Sequence, residues 1–235
     1  MKIKTAVLVL LLGILMAFGI TAYAETEGNY VYSVTNDVAT ITGVADKTTF
    51  TGEQVIPEKI GDYTVTKIAA SAFKDCTGLT AITVPDTVTS IGKGALEGCT
   101  SLTELTMPKD VYGQNEASRF GYIFGYTTVT QEGWSSSTYP SFSSNYIPGG
   151  TYASSTGTYQ NYHSTGSNSK GNGCRYYYYY NIPASLKKVS ITNDTDIGAS
   201  VFYNCESIET VELCNTITTV GASAFYNCNT LTTVL

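Results

Sequence analysis

A period of 23 residues constrains this chain more than any other feature of its sequence. Val65 to Thr87 reads VTKIAASAFKDCTGLTAITVPDT and Val88 to Asp110 reads VTSIGKGALEGCTSLTELTMPKD, without a gap. Ile68 aligns with Ile91, Ala72 with Ala95, Phe73 with Leu96 and Cys76 with Cys99. Leu79 aligns with Leu102, Ile82 with Leu105, Val84 with Met107 and Pro85 with Pro108. The same roles recur from Leu186 to Ile191, from Ile197 through Cys205 to Ile208, and from Val220 through Cys228 to Leu231. So short a unit cannot bury its own apolar face; copies must stack, like residue over like, to make a continuous core.

Each copy carries two apolar spacings. Ala69, Ala72, Phe73 and Cys76 follow i, i+3, i+4, i+7, which predicts a short helix or helical turn. Ile82 and Val84 alternate with Ala81 and Thr83, a strand spacing, and Pro85 ends the strand because it has no N–H to give to a ladder. A repeat is therefore expected to be a strand, a turn and a helical return, with the strands forming a parallel sheet. Truncating Ile82 to Ala is expected to cost about 2–5 kcal/mol in lost transfer energy and cavity.

The strand positions that alternate with the core form a row: Ala81, Thr83, Glu104, Thr106, Lys188, Ser190, Thr210 and Glu212. Apart from Ala81, these are the candidate ligand-binding residues, on a concave face where they are uncommitted to the core. The alternative is that they only keep the sheet soluble.

The repeat resembles the BspA-like class of leucine-rich repeats, whose form is Leu-x-x-Ile-x-Ile-Pro followed by Ile-Gly-x-x-Ala-Phe-x-x-Cys. Here it stands as Leu79-x-x-Ile-x-Val-Pro85 and Ile91-Gly92-x-x-Ala-Leu-x-x-Cys99. The stretch from Tyr30-Val-Tyr-Ser-Val through Ala39-Thr-Ile-Thr-Gly43 and Val55-Ile-Pro57 to Tyr63-Thr-Val-Thr is similar to the family's amino-terminal cap. The expected fold is an α/β solenoid of strand-turn-helical units with a β-rich cap and a Tyr/Ser/Gly-rich insertion. Its expected divisions are residues 25–64 for the cap, 65–110 for the first repeats, 111–183 for the insertion and 184–235 for the remaining repeats.

There are departures from the pattern. Cys214 stands where Pro85 and Pro108 stand, no Pro follows Ile191, and one residue is missing between Ile191 and Ile197. The last copy stops at Leu235 in mid-strand, which reads as a truncated stack or an uncapped edge available for self-association.

From Leu102 to Leu186 there are 84 residues where 23 would suffice, and 13 of the 19 tyrosines lie between Tyr112 and Tyr180. Tyrosine offers rigid contact area together with a hydroxyl. This island is therefore a candidate carbohydrate-binding surface; the alternative is a family-typical insertion, partly packed near Phe120 to Phe124 and partly flexible.

Lys2 and Lys4, an apolar run of 15 residues from Ala6 to Ile20, and Ala22-Tyr23-Ala24 read as a signal peptide over residues 1–24. Cleavage would leave Glu25 first; an uncleaved anchor is the alternative. No later segment is apolar for long enough to span a bilayer, so the mature chain is expected to be secreted or at the cell surface. The formal charge is −6, with 13 Lys plus Arg and no basic cluster, which argues against nucleic acid as a partner.

Catalysis is not expected, nor any metal or other cofactor. The single histidine, His163, sits in the flexible-looking segment Asn161-Tyr-His-Ser, and Glu104, Glu209 and Glu212 occupy solvent-facing strand positions. Of six cysteines, Cys76, Cys99, Cys205 and Cys228 share one repeat position, which suits a buried ladder better than a disulfide framework; Cys174 and Cys214 stand outside it. The resemblance implies adhesion through protein–protein contacts, with an extracellular protein or glycan as partner.

Overall fold

The computed structural model describes residues 24–108, 120–134, 157–167 and 173–235. The signal-peptide reading falls on residues outside these, Ala24 apart.

At the amino-terminal end β1 (Ala24–Glu27), β2 (Tyr30–Thr35) and β3 (Val38–Val44) form an antiparallel meander. After β4 (Gly52–Val55) the chain makes β5 (Lys59–Ile60) and β6 (Tyr63–Ile68), and β6 returns parallel to β3. Strand β4 does not join this first sheet. It pairs in parallel with β7 (Leu79–Thr83), and so opens the repeat sheet.

The chain continues through β8 (Ser90–Ile91) to β9 (Glu104–Met107) and then to the 3-10 turn Phe120–Phe124. Strands β10 (Tyr126–Trp134), β11 (Gly157–Ser167) and β12 (Gly173–Pro183) follow. The repeats resume with β13 (Lys188–Ile191), β14 (Asp196–Ile197), β15 (Thr210–Leu213), β16 (Thr219–Val220) and β17 (Thr233–Val234). The repeat sheet runs β4, β7, β9, β13, β15, β17, all parallel. The two-residue strands pair separately, β6 with β8 and β14 with β16.

Stacking like residues over like builds the core as the period requires. Ile82, Leu105, Val189 and Val211 stand side by side in register and are each buried, as are Leu79 and Leu102. The ring of Phe50 stacks on Phe73 at 5.4 Å, and Phe202 on Phe225 at 5.3 Å.

The helical return does not form: among the described residues there is no α-helix. The physical reason is visible in the backbone. Two residues per copy, four apart, are left-handed: Ser71 (φ 57°) and Asp75 (φ 62°), Gly94 (63°) and Gly98 (76°), Ser200 (58°) and Asn204 (59°), Ser223 (57°) and Asn227 (59°). A left-handed residue breaks an α-helix at once. The backbone donors then divide their work. Ala72, Lys74 and Cys76 donate three residues back, to the carbonyls of Ala69, Ser71 and Phe73, whereas Ser71, Phe73 and Asp75 donate at 3.1, 2.8 and 2.7 Å to Lys93, Ala95 and Glu97 of the next copy. The i, i+3, i+4, i+7 spacing is thus a stack of turns, bonded to its neighbour like a second sheet.

That stacking is tight enough to demand glycine at one position. A Cβ on Gly92 would collide with the backbone nitrogen of Ala70, and one on Gly221 with that of Ala199.

Within the described residues the island forms three strands. Its central strand β12, which carries Tyr176 to Tyr180, pairs antiparallel with β10 on one side and β11 on the other. His163, read as lying in a flexible segment, is in β11 opposite Tyr177. The excursion is pinned at its base, where the Asn181 N–H donates to the Gly125 carbonyl at 3.2 Å and Tyr180 and Ile182 are buried. Ahead of β10, Phe120–Phe124 takes the place of a repeat turn: Gly94 and Leu96 donate to Tyr122 and Ile123, while Phe120 donates to Val201. Phe120 lies 5.0 Å from Phe202 ring to ring, so this one turn joins the repeats on either side of the island.

Candidate binding face of the repeat sheet

The structure brings the sequence-predicted row onto one face of one sheet. Ala81, Glu104, Lys188 and Thr210 are consecutive register partners across β7, β9, β13 and β15; so are Thr83, Thr106, Ser190 and Glu212. They alternate with the buried Ile82, Leu105, Val189 and Val211, so the pleat places them opposite the core. Glu104 is exposed and the others are half-buried.

Sequence reasoning missed one end of both rows. Glu53 pairs with Ala81 and Val55 with Thr83, and both are exposed, Val55 by 69%. The strand lacks the repeat motif because Gln54 stands in register with Ile82. The signal that could have found it is Ile56-Pro57, the Pro-terminated strand end that also closes β7. At the other end Thr233 of β17 continues the first row beside Thr210.

Electrostatically the face divides. On its β13–β15 side the Lys188 Nζ meets Glu212 Oε1 at 2.8 Å, and the Ser190 hydroxyl donates to the other carboxylate oxygen at 2.7 Å. The hydrogen bond from Lys188, followed by that from Ser190, holds the Glu212 carboxyl below its usual range; the same bond to Glu212 raises Lys188. On the β4–β9 side Glu53 and Glu104 frame Ala81, Thr83 and Thr106, side chains too short to cover the backbone.

Behind this face Cys76, Cys99 and Cys205 are buried and Cys228 half-buried, as is Cys214, and none of the five is in a disulfide. The Cys99 thiol donates to the Phe73 carbonyl at 3.2 Å and Cys228 to that of Phe202 at 2.9 Å. Burial pushes Cys99 up to about 12, and raises Cys76 and Cys228. The side chain of Cys174 is outside the described residues. Among those described, no three His, Cys, Asp or Glu side chains are placed to hold a metal ion, and no helix is long and apolar enough to cross a membrane.

No curated protein matches the chain. Among solved structures it is similar to a leucine-rich repeat protein of T. pallidum, at 18% identity and a TM-score of 0.41, covering 90% of this chain and 71% of that one. It is similar at the same identity and TM-score to one of Bacteroides ovatus, covering 90% of this chain and 41% of that one. A leucine-rich repeat protein of Eubacterium ventriosum gives 15% identity and a TM-score of 0.19. The model of the BspA type leucine rich repeat region matches residues 46–147 and 172–235 in six copies, more than half of the chain. The chain belongs to the BspA-type leucine-rich repeat family.

Proposed function

We propose that this chain is an exported or surface-associated protein-binding module that holds an extracellular protein through the open face of its repeat sheet, in the manner of an adhesin. The observation that carries the reading is the register of that face. Five consecutive strands, β4 to β15, present their non-core side chains in two straight rows at about 4.8 Å spacing. Such an array meets an extended partner with many modest contacts. Leucine-rich repeat proteins act in general as interaction scaffolds rather than enzymes, and the family match supports that class of function.

The test uses the mature chain against panels of purified extracellular-matrix proteins and of glycans. Thr83→Lys with Thr106→Lys adds two long cations at the middle of the second row without touching the core. Expected is retention on matrix proteins by the unmodified chain, lost in the double variant while its thermal unfolding is unchanged. Undiminished binding by the double variant, binding to glycans alone, or binding to neither panel overturns the reading.

A further inference from the structure

The division of charge on the face indicates what sort of segment its β4–β9 side would take; the inference rests on the reading of that face as a protein-binding surface. Lys188 closes its ion pair with Glu212, on the side away from β9. Glu53 and Glu104 remain as exposed carboxylates in the first row, two strands apart, with Ala81 between them. Ala81 contributes only a methyl group, so a main chain lying across the strands can come down between the two carboxylates. Beside this notch Val55, Thr83 and Thr106 form a second row that is apolar or hydroxylated and uncharged.

Two strand spacings amount to about 9.6 Å. A polyproline II segment repeats its side-chain direction every third residue, at about 9.3 Å. The match is close, whereas a β-strand laid across the sheet would turn the side chain at i+3 to its opposite face. Lys188 limits the site on one flank, since a cation moving past Glu104 toward β13 meets a like charge.

We propose that the β4–β9 side of the face binds a basic polyproline II segment of a partner protein, with cations at i and i+3 over Glu53 and Glu104 and the intervening residues over Ala81. The test is a titration of the mature chain with three peptides at low ionic strength. They are Lys-Pro-Pro-Lys-Pro-Pro-Lys, the clustered isomer Lys-Lys-Lys-Pro-Pro-Pro-Pro, and Glu-Pro-Pro-Glu-Pro-Pro-Glu. Expected is binding of the spaced lysine peptide, several-fold weaker binding of the clustered one, and none of the acidic one. Glu53→Gln with Glu104→Gln should weaken the spaced peptide about tenfold, about threefold for each exposed pair, and the remaining affinity should lose most of its salt dependence.

Equal affinity for the spaced and clustered peptides, no effect of the double glutamine variant, or no binding of the spaced peptide overturns the proposal. Its failure is separable from that of the face itself. If matrix-protein binding is lost with Thr83→Lys and Thr106→Lys while both glutamine substitutions are silent in both assays, the face stands and the basic segment falls.

Discussion

The repeats before the island and those after it solve one backbone problem with different side chains. In both blocks the turn side carries two left-handed residues per copy, but the first block has Ser71, Asp75, Gly94 and Gly98 there and the second has Ser200, Asn204, Ser223 and Asn227. The outer edge of those turns is tied by the ion pair of Lys74 with Glu97 at 2.8 Å in the first block. In the second it is tied by stacking of Tyr203 on Tyr226 at 5.0 Å and by the hydrogen bond that the Asn227 side-chain amide donates to Asn204 Oδ1. On the sheet face the first block leaves its carboxylates open and the second closes Glu212 onto Lys188 and Ser190. Inward positions, by contrast, barely differ. Stacking fixes what points into the core, and whatever points outward is free to diverge.

The β9–β13 pairing joins the blocks through the sheet; on the turn side that falls to Phe120, and its removal should have the largest effect. It is fully buried, in edge contact with Phe124 at 5.4 Å and tilted against Phe202. Phe120→Ala should cost about 3–5 kcal/mol. Because repeat stability is a sum of neighbour terms, the two blocks should also lose cooperativity, so that unfolding followed by probes in each block no longer coincides. A single coincident transition with a loss under about 1 kcal/mol would mean that the repeat sheet alone couples the blocks.

The glycine after each Ile or Val sharpens the comparison. Gly92 and Gly221 each lie against a regular preceding copy, and Ala at either should cost about 2–3 kcal/mol through overpacking against backbone. Gly198 follows the island rather than a regular copy, and a Cβ there would meet only the Val201 methyl at an ordinary 3.4 Å. Gly198→Ala should therefore stay within about 0.5 kcal/mol. Urea denaturation of the three variants checks this; equal costs at all three would show that the glycine answers to local backbone preference and not to stacking.

These positions also show what could be read from sequence. The period of 23 residues carried the register of β7 with β9 and of β15 with β17: the Thr89 hydroxyl bonds the Thr66 carbonyl and the Thr103 hydroxyl that of Thr80, one period apart. It carried the candidate row too, since a register with one buried face cannot slip by a residue without turning Ile82 and Leu105 to solvent. The helical return was misjudged because apolar spacing reports which residues face inward and not the sign of φ. The sign was present in the residues that can take φ > 0, namely glycine at positions 94 and 98 and Ser, Asp or Asn at their equivalents. Strand β4 was missed because Gln54 occupies an inward register position where the motif asks for Ile. The island strands were missed because β10 and β11 mix Tyr and Thr with other polar residues and β12 runs five Tyr together; such residues favour strands by propensity but give no apolar period to read.

Thiol reactivity gives a smaller contrast. Cys76 and Cys99 of the first block are fully buried with raised pKa, whereas Cys228 of the second is only half-buried. In a Cys174→Ser background, iodoacetamide under native conditions should label Cys214 and Cys228 well before Cys76, Cys99 or Cys205, as mass spectrometry of peptides would show. Labelling of Cys99 at the rate of Cys228 would mean that the first block opens as readily as the second.

The smallest effect concerns charge on the sheet face, and it separates the closed half from the open one. Glu212 titrates below the ordinary carboxylate range because Lys188 and then Ser190 hydrogen-bond its ionised form. A lowered folded pKa gives stability that is present above the unfolded value and lost as pH falls through the folded one. For Lys188, raised by the same pair, the contribution is present below the usual lysine pKa and lost only as pH rises through its raised value. The pair is thus intact from mildly acid to mildly alkaline pH. Carboxyl carbon NMR should find the Glu212 midpoint moved upward by Lys188→Met, and by less in Ser190→Ala, since the lysine bond is the larger cause. An unmoved Glu212 midpoint in Lys188→Met would show that the ion pair does not hold in solution. Lys188 would then be free to swing toward Glu104, and the open acidic half of the face would close.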